Sequence, residues 1–141
     1  MLENEKDFYD YIILLQPTSP LRNNKHINEA VELLKSKSAH GIIGVTEIEH
    51  PVEWINTLPM DASMEGFIPS EHREIRSQDF PVRYRLNGAI YLGRIKSVLS
   101  EGSLFLSKKC YAYIMPRLAS LDIDSDLDFK LAENMLDLME E

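Results

Sequence analysis

The 141-residue sequence predicts an α/β fold, with a mostly parallel sheet flanked by helices. Two short runs, residues 11–15 and 41–46, have the unbroken apolar character of strands that are covered on both faces. Between them, apolar side chains recur at the spacing of one helix face, at Ile27, Ala30, Val31 and Leu34. Strand, helix and strand of this size predict a βαβ unit with a right-handed crossover.

The composition supports a soluble globular domain, because 44% of the residues are hydrophobic and 27% are charged. The net charge of −8 disfavours nucleic acid as a partner, since binding phosphates requires a basic surface. No run approaches the length of a membrane span. The single cysteine, Cys110, and a charged start without the apolar core of a signal peptide favour the cytoplasm.

The first strand is followed by a stiff polar loop. Pro17 and Pro20 restrict its backbone, and the loop presents polar side chains just past the strand's carboxyl end, at Gln16, Thr18, Ser19 and Arg22. Ligands of open α/β sheets bind at that edge, so the loop is a candidate binding segment. An ordinary strand-to-helix turn is the alternative.

Residues 49–85 are irregular and interrupted by prolines, with at most one short strand near residues 54–58. Residues 72–85 contain four arginines against Glu74 and Asp79. Such a local positive patch in an acidic protein can hold an anionic ligand. The alternative, given equal weight, is that these arginines pair with the chain's own carboxylates.

The second half continues the α/β pattern. Residues 86–94 predict a strand interrupted by Asn87 and Gly88, where a glycine indicates a bulge or the close approach of a ligand. A short helix should follow and end at Gly102. Residues 110–115 and 121–124 predict two further strands.

The final helix should begin with a capping box formed by Ser125 and Asp128. It has a wide apolar stripe, made of Leu127, Leu131, Ala132, Met135, Leu136, Leu138 and Met139. A stripe of this width predicts burial against more than one surface, which can include a second subunit.

Asp122 and Asp124 are candidate metal ligands. In an extended segment, residues i and i+2 point to the same face about 6.6 Å apart. Magnesium typically takes one or two carboxylates together with phosphates and water. Alternatively, both aspartates simply stabilise the amino end of the following helix.

Three separated motifs resemble the acylneuraminate cytidylyltransferases, the CMP-sialic acid synthetases. They are Gln-Pro-Thr-Ser-Pro-Leu-Arg at residues 16–22, Asn-Gly-Ala-Ile-Tyr at 87–91 and Asp-Ile-Asp at 122–124, in the family's order. The resemblance implies a Rossmann-like fold of the nucleotide-diphospho-sugar transferase type. It also implies that residues 1–141 are one domain, the C-terminal portion of such an enzyme, with residues 50–115 as an arm for dimerisation and substrate binding.

The activity implied by the resemblance is transfer of CMP from CTP to a nine-carbon sugar acid, with release of pyrophosphate, by a homodimer that uses Mg²⁺. The metal would be bound by Asp122 and Asp124, which are also the catalytic residues. The substrate-binding residues would be Gln16, Thr18, Arg76, Asn87, Tyr91 and Phe105. In the family the apolar wall matched by Phe105 can come from the neighbouring subunit, and plain core packing is the alternative for this side chain.

The sequence contains no glycine-rich phosphate loop, because its glycines are scattered and match no nucleotide fingerprint. The family opens with a strand and a loop rich in Gly, Arg and Lys that holds the CTP phosphates. We therefore expect this chain to lack the N-terminal nucleotide-binding segment. A truncated, non-catalytic remnant that dimerises and binds the sugar acid is the alternative to an enzyme.

Overall fold

A computed structural model describes residues 8–140 and, for residues 138–140, only the helical backbone. The chain divides into two compact units. The sheet unit contains the described residues up to Thr46 and from Leu86 onwards, and the irregular unit is Glu47–Arg85.

Four strands and three α-helices are present in the described part of the chain. The strands are β1 (Tyr11–Leu14), β2 (Gly41–Glu47), β3 (Tyr84–Arg94) and β4 (Cys110–Ile114), and the helices are α1 (Asn24–Ser36), α2 (Ile95–Glu101) and α3 (Asp126–Glu140). The spatial order of the strands is β1-β3-β2-β4. The α/β class predicted from the sequence is therefore confirmed.

The sheet is mixed, so the predicted mostly parallel sheet is not confirmed. β1 pairs antiparallel with β3, whereas β2 pairs parallel with β4. β3 also runs against β2, because the carbonyl of His40 accepts from the amide of Arg94, while Gly44 lies beside Ile90. The chain leaves β2 and returns to β3 at the same end, which makes the two strands antiparallel.

The predicted burial of the first strand is wrong for the described residues. The side chains of β1 are 36–48% exposed, and the strand lies at the edge of the sheet beside β3 alone. An unbroken apolar run identifies a strand, but its burial depends on which elements pack against it. Those elements are not encoded in the run itself.

The core lies between α1 and the sheet. Ala30 and Leu34 of α1 pack in one buried cluster with Ile42 of β2 and Ile90 of β3. Burial of each large aliphatic side chain contributes about 1.5–3 kcal/mol. The predicted apolar face of α1 is thereby confirmed.

α1 begins at a reciprocal cap. The side-chain oxygen of Asn23 accepts from the amide of His26 at 3.2 Å, and Nδ1 of His26 accepts from the amide of Asn23 at 3.2 Å. His26 is only 8% exposed. Burial lowers the pKa of His26, with an opposing effect of Glu29 and a further lowering by Lys25.

The elements predicted after β3 are largely confirmed. α2 ends at Gly102, which has a φ of +63°, and β4 covers most of the predicted strand. Residues 121–124 are irregular instead of forming a strand.

The irregular unit contains three single 3₁₀ turns, at Val52–Trp54, Ser70–His72 and Ser77–Asp79. All of its residues are described, and none forms the strand predicted near residues 54–58. The ring of Phe80 makes edge contacts with Trp54 and His72, which gives this unit a small aromatic centre. Residues 86–115, the other part of the predicted arm, belong to the sheet unit.

The capping contact predicted for α3 is confirmed. The amide of Asp128 donates to Oγ of Ser125 at 3.3 Å, and the Ser125 hydroxyl lowers the pKa of the Asp128 carboxyl. The wide apolar stripe is mostly uncovered, since Ala132 is buried but Leu127 is 66% exposed. Its members Leu138 and Met139 lie outside the described side chains. No described helix is long and apolar enough to cross a membrane.

The cap of α1 predicts a pH dependence of stability. Nδ1 of His26 can accept a hydrogen bond only when the ring is neutral, and the pKa of His26 is lower in the fold than its ordinary value of 6.5. The contribution of the cap to the free energy of unfolding should therefore be fully present above about pH 6.5 and decrease as the pH falls through the lowered pKa. His26→Gln keeps an acceptor at this position but does not titrate. The variant should therefore not show the decrease in the free energy of unfolding that protonation of His26 causes, which is roughly 0.5–2 kcal/mol.

The measurement is urea unfolding between about pH 5 and pH 7. His50→Gln is the matched control, because His50 is exposed and lies in the irregular unit. Parallel pH profiles for wild type and His26→Gln would contradict the role of the cap.

Candidate functional site

The first part of the candidate site is the proline loop, residues 16–22, which follows β1. The amide of Ser19 donates to the carbonyl of Gln16 at 3.3 Å, closing a tight turn. Nη1 of Arg22 donates to the same carbonyl at 3.1 Å and to the carbonyl of Ala89 at 2.9 Å. The loop is therefore joined to β3 as well as to β1.

The second part is the glycine bulge, residues 87–89 of β3. Gly88 has a φ of +72°, a conformation that residues with a Cβ rarely adopt. A Cβ at this position would lie 2.0 Å from Oε1 of Gln16. Glycine is thus required both by the backbone and by the side chain of Gln16, which lies directly against the bulge.

Asn87 is held inside the protein and is only 1% exposed. Its Oδ1 accepts from the amide of Ala89 at 3.1 Å, and its Nδ2 donates to Oγ of Ser120 at 3.0 Å and contacts the sulfur of Met115 at 3.2 Å. The resemblance assigns Asn87 to substrate binding. In this structure its amide is engaged by the protein's own groups and fixes the shape of the bulge.

The third part is the aspartate segment, residues 121–124. The amide of Ile123 donates to the carbonyl of Thr18 at 2.8 Å. Ile123 lies between Asp122 and Asp124, so this bond places the aspartate pair beside the proline loop. Gln16 and Thr18, both half-buried, therefore lie in the same region of the sheet unit as the two carboxylates.

The two carboxylates differ in environment. Oδ1 of Asp122 is buried and has no hydrogen-bond partner among the described residues, whereas Asp124 is exposed. A buried carboxylate oxygen without a partner is costly unless a cation or another donor reaches it. The described residues contain no cluster of three or more His, Cys, Asp or Glu side chains that could hold a metal ion. A pair of carboxylates nevertheless fits Mg²⁺, which completes its coordination with phosphates and water.

Tyr91 and Phe105 form an aromatic pair in the sheet unit, with ring centroids 5.6 Å apart at 65°. Tyr91 is opposite Leu14 in the pairing of β1 with β3 and is 9% exposed. Phe105 is 56% exposed, so plain core packing does not describe it in this chain.

Arg76 belongs to the irregular unit, whereas the other predicted site residues belong to the sheet unit. Its Nε lies 2.9 Å from a carboxylate oxygen of Asp79. Arg83 of the same unit forms an ion pair with Glu53. These two arginines therefore follow the alternative interpretation, in which the arginines pair with the chain's own carboxylates.

Sequence reasoning missed the contribution of buried polar side chains around the site. Ser19 is fully buried, and its hydroxyl donates to the carbonyl of Asn87 at 3.3 Å. Ser120 is also buried and donates to the carbonyl of Pro116 at 2.9 Å. The prolines on either side of Ser19 indicated a fixed loop, but nothing in the sequence distinguished Ser120 from other serines.

Comparison with known proteins finds cytidylyltransferases similar to this chain. No protein-family model matches the chain. An N-acylneuraminate cytidylyltransferase of Streptococcus agalactiae serotype V is 35% identical over 130 residues, which cover 88% of this chain and 31% of that protein. A similar match to the N-acylneuraminate cytidylyltransferase of Escherichia coli O18:K1:H7 is 35% identical over 125 residues, covering 88% of this chain and 29% of that protein.

A third relative is the CMP-N,N'-diacetyllegionaminic acid synthase of Legionella pneumophila, which is 30% identical over 135 residues. The match covers 95% of this chain and 57% of that protein. The chain thus spans from under a third to just over half of the length of these relatives. In these matches, and in the three motifs that meet in the sheet unit, the chain is similar to the acylneuraminate cytidylyltransferases.

Proposed function

We propose that this chain holds the sugar acid and the metal in a cytidylyltransferase that transfers CMP from CTP to a nine-carbon sugar acid of the sialic acid type. The observation that carries the proposal is the hydrogen bond from the amide of Ile123 to the carbonyl of Thr18. It joins the loop proposed for the sugar acid to the segment proposed for the metal. The names of the relatives, which refer to acylneuraminate and to legionaminic acid, support the same substrate class.

The proline loop is the proposed binding site for the sugar acid. The Gln16 amide and the Thr18 hydroxyl offer donors and acceptors suited to a polyhydroxylated acid. The exposed ring of Phe105, held against Tyr91, offers an apolar surface for the sugar's carbon skeleton. Asn87 contributes by fixing the bulge on which Gln16 lies.

Asp122 and Asp124 are the proposed magnesium ligands. The buried, unpartnered oxygen of Asp122 is the feature of this structure that fits a cation. A magnesium ion bound there would offset the charge of the CTP phosphates. The chain's own contribution is to fix the position of the two carboxylates through Ile123 and through the cap of α3.

In the proposed reaction the oxygen of the sugar's anomeric hydroxyl forms a bond to the α-phosphorus of CTP. The bond between that phosphorus and the bridging oxygen to the β-phosphate breaks, and pyrophosphate leaves. The hydroxyl proton passes to solvent or to a nearby base. Such a reaction depends mainly on positioning and charge neutralisation, which is the role proposed for the proline loop and the aspartate pair.

The finer architecture is also part of the proposal. We infer a Rossmann-like nucleotidyltransferase sheet and a homodimer formed through the irregular unit. The second inference is supported by apolar side chains that this unit exposes, at Ile55, Leu58, Met60, Met64 and Val82. Large exposed apolar patches often mark protein interfaces.

Thermal denaturation with ligands tests the proposed activity. A ligand that binds only the folded state must raise the melting temperature, by roughly 10 °C when its concentration is about 100-fold above its Kd. We expect N-acetylneuraminic acid to raise the melting temperature of the chain. We expect CTP to raise it more in the presence of Mg²⁺ than in the presence of EDTA. Asp122→Asn should lose the Mg²⁺-dependent part, whereas Asp61→Asn, at an exposed site in the irregular unit, should retain it.

The arms of this experiment separate the two functions. A shift with the sugar acid but none with CTP and Mg²⁺ would leave the non-catalytic, sugar-binding remnant. No shift with either ligand would overturn the proposal.

Gly88→Ala tests the contact between the bulge and Gln16. The added Cβ would collide with Oε1 of Gln16, so the variant should bind the sugar acid about tenfold more weakly in addition to losing stability. Gly102→Ala is the matched control, because Gly102 has a similar positive φ but no atom within 4 Å of an added Cβ. Its free energy of unfolding should decrease only by the cost of the left-handed backbone conformation, about 1–2 kcal/mol. Equal sugar affinity in the two variants, measured by calorimetric titration, would count against the site.

Sedimentation velocity tests the dimer. Met60→Glu places a charge on the exposed apolar surface of the irregular unit and should weaken self-association by about tenfold or more. Leu99→Glu is the control, because Leu99 is also apolar and exposed but lies in α2. A monomeric wild type, or equal weakening by both substitutions, would remove the irregular unit from the interface.

A further inference from the structure

Arg22 is the last residue of the proline loop, and its side chain is partly buried. Its Nη1 donates to two carbonyls that come from different strands, Gln16 at the end of β1 and Ala89 in the glycine bulge. We propose that Arg22 is the positioning residue for sugar-acid binding, holding Gln16 and Gly88 in register. This inference rests on the function proposed above, since it concerns the same site.

The geometry requires a donor at this point. Two carbonyl oxygens, 3.1 and 2.9 Å from one nitrogen, converge on the space that the guanidinium fills. The two hydrogens of Nη1 can each serve one oxygen. Without the guanidinium, the carbonyl of Gln16 would keep the amide of Ser19 as a donor, but the donor that joins it to the carbonyl of Ala89 would be lost.

The chemistry of arginine suits this position. Burial lowers the pKa of Arg22, but a guanidinium stays protonated at any ordinary pH. Hydrogen bonds from a charged donor are about twice as strong as those between neutral groups. Lysine would preserve the charge, but its ammonium group is shorter in reach and lacks the planar fork.

Arg22 affects binding because the two carbonyls that it joins belong to the loop that holds Gln16 and to the bulge that holds Gly88. The side chain of Gln16 lies against Gly88, so its position depends on the distance between the loop and the bulge. The hydroxyl of Ser19 spans the same gap to the carbonyl of Asn87, but it is a single neutral bond at 3.3 Å. Of these two side-chain contacts between the loop and the bulge, that of Arg22 is therefore the stronger, and Arg22 acts without itself contacting the substrate.

The test is calorimetric titration of the 141-residue chain with N-acetylneuraminic acid, for wild type, Arg22→Lys and Arg22→Ala. We expect binding about tenfold weaker in Arg22→Ala and an intermediate affinity in Arg22→Lys. The matched control is Arg94→Ala, because Nε of Arg94 also donates to a backbone carbonyl, that of Ala39, but at the far end of β3. Titrations are made where all variants are fully folded, so that a general loss of stability does not weaken binding.

Arg94→Ala should bind the sugar acid like wild type even if it melts lower. Wild-type affinity in Arg22→Ala, or equal weakening in Arg94→Ala, would overturn the inference. If Arg22→Ala does not fold, Arg22→Lys decides alone, because wild-type affinity in that variant would also overturn it.

Hydrogen exchange separates this inference from the proposed function. In Arg22→Lys and Arg22→Ala, the amides of Ser19 and Ile123 should exchange several-fold faster than in wild type, while that of Ala39 should not change. If wild type binds no sugar acid, the proposed function fails, and the exchange rates still test whether Arg22 holds the loop. Unchanged exchange at Ser19 and Ile123 would overturn the positioning role whatever the outcome of the titration.

Discussion

The candidate site depends on one backbone hydrogen bond, from the amide of Ile123 to the carbonyl of Thr18. These residues are far apart in the sequence, and the bond joins an irregular segment to a proline-restricted loop. Neither partner belongs to a regular ladder, so the bond has no neighbouring bonds of the same kind to support it. Its geometry depends on how firmly the two segments are held by the rest of the sheet unit.

That support comes from a buried polar network. Asn87, Ser19 and Ser120 are almost completely buried, and each has a hydrogen-bond partner inside the protein. Buried polar groups that are fully satisfied rigidify a structure, whereas unsatisfied ones destabilise it. Oδ1 of Asp122 is a buried oxygen without a partner in the described part of the sheet unit. This unpartnered oxygen lies where a cation is proposed to bind, next to the paired polar groups of the buried network.

The mixed sheet has a consequence for the site. β3 runs against both neighbours, so the glycine bulge near its start lies close to the end of β1, where the proline loop begins. If β3 were parallel to β1, residues 87–89 would lie at the opposite end of that strand. The antiparallel direction of β3 beside β1 is thus what allows Gln16 to lie against Gly88.

The sequence by itself determined the features that depend on local interactions. The periodicity of α1, the cap at Ser125, the end of α2 at Gly102 and the stiff turn at Pro17 and Pro20 follow from neighbouring residues, and the structure contains them. The motifs also placed Gln16, Thr18 and the aspartate pair in one site, and the sheet unit brings these residues together. Only the tertiary structure decided the direction of β3, the exposure of β1, the ion pair of Arg83 with Glu53 and the inward position of Asn87. Each of these depends on contacts between residues distant in the chain, and no local pattern specifies which partner a strand edge, an arginine or an amide will find.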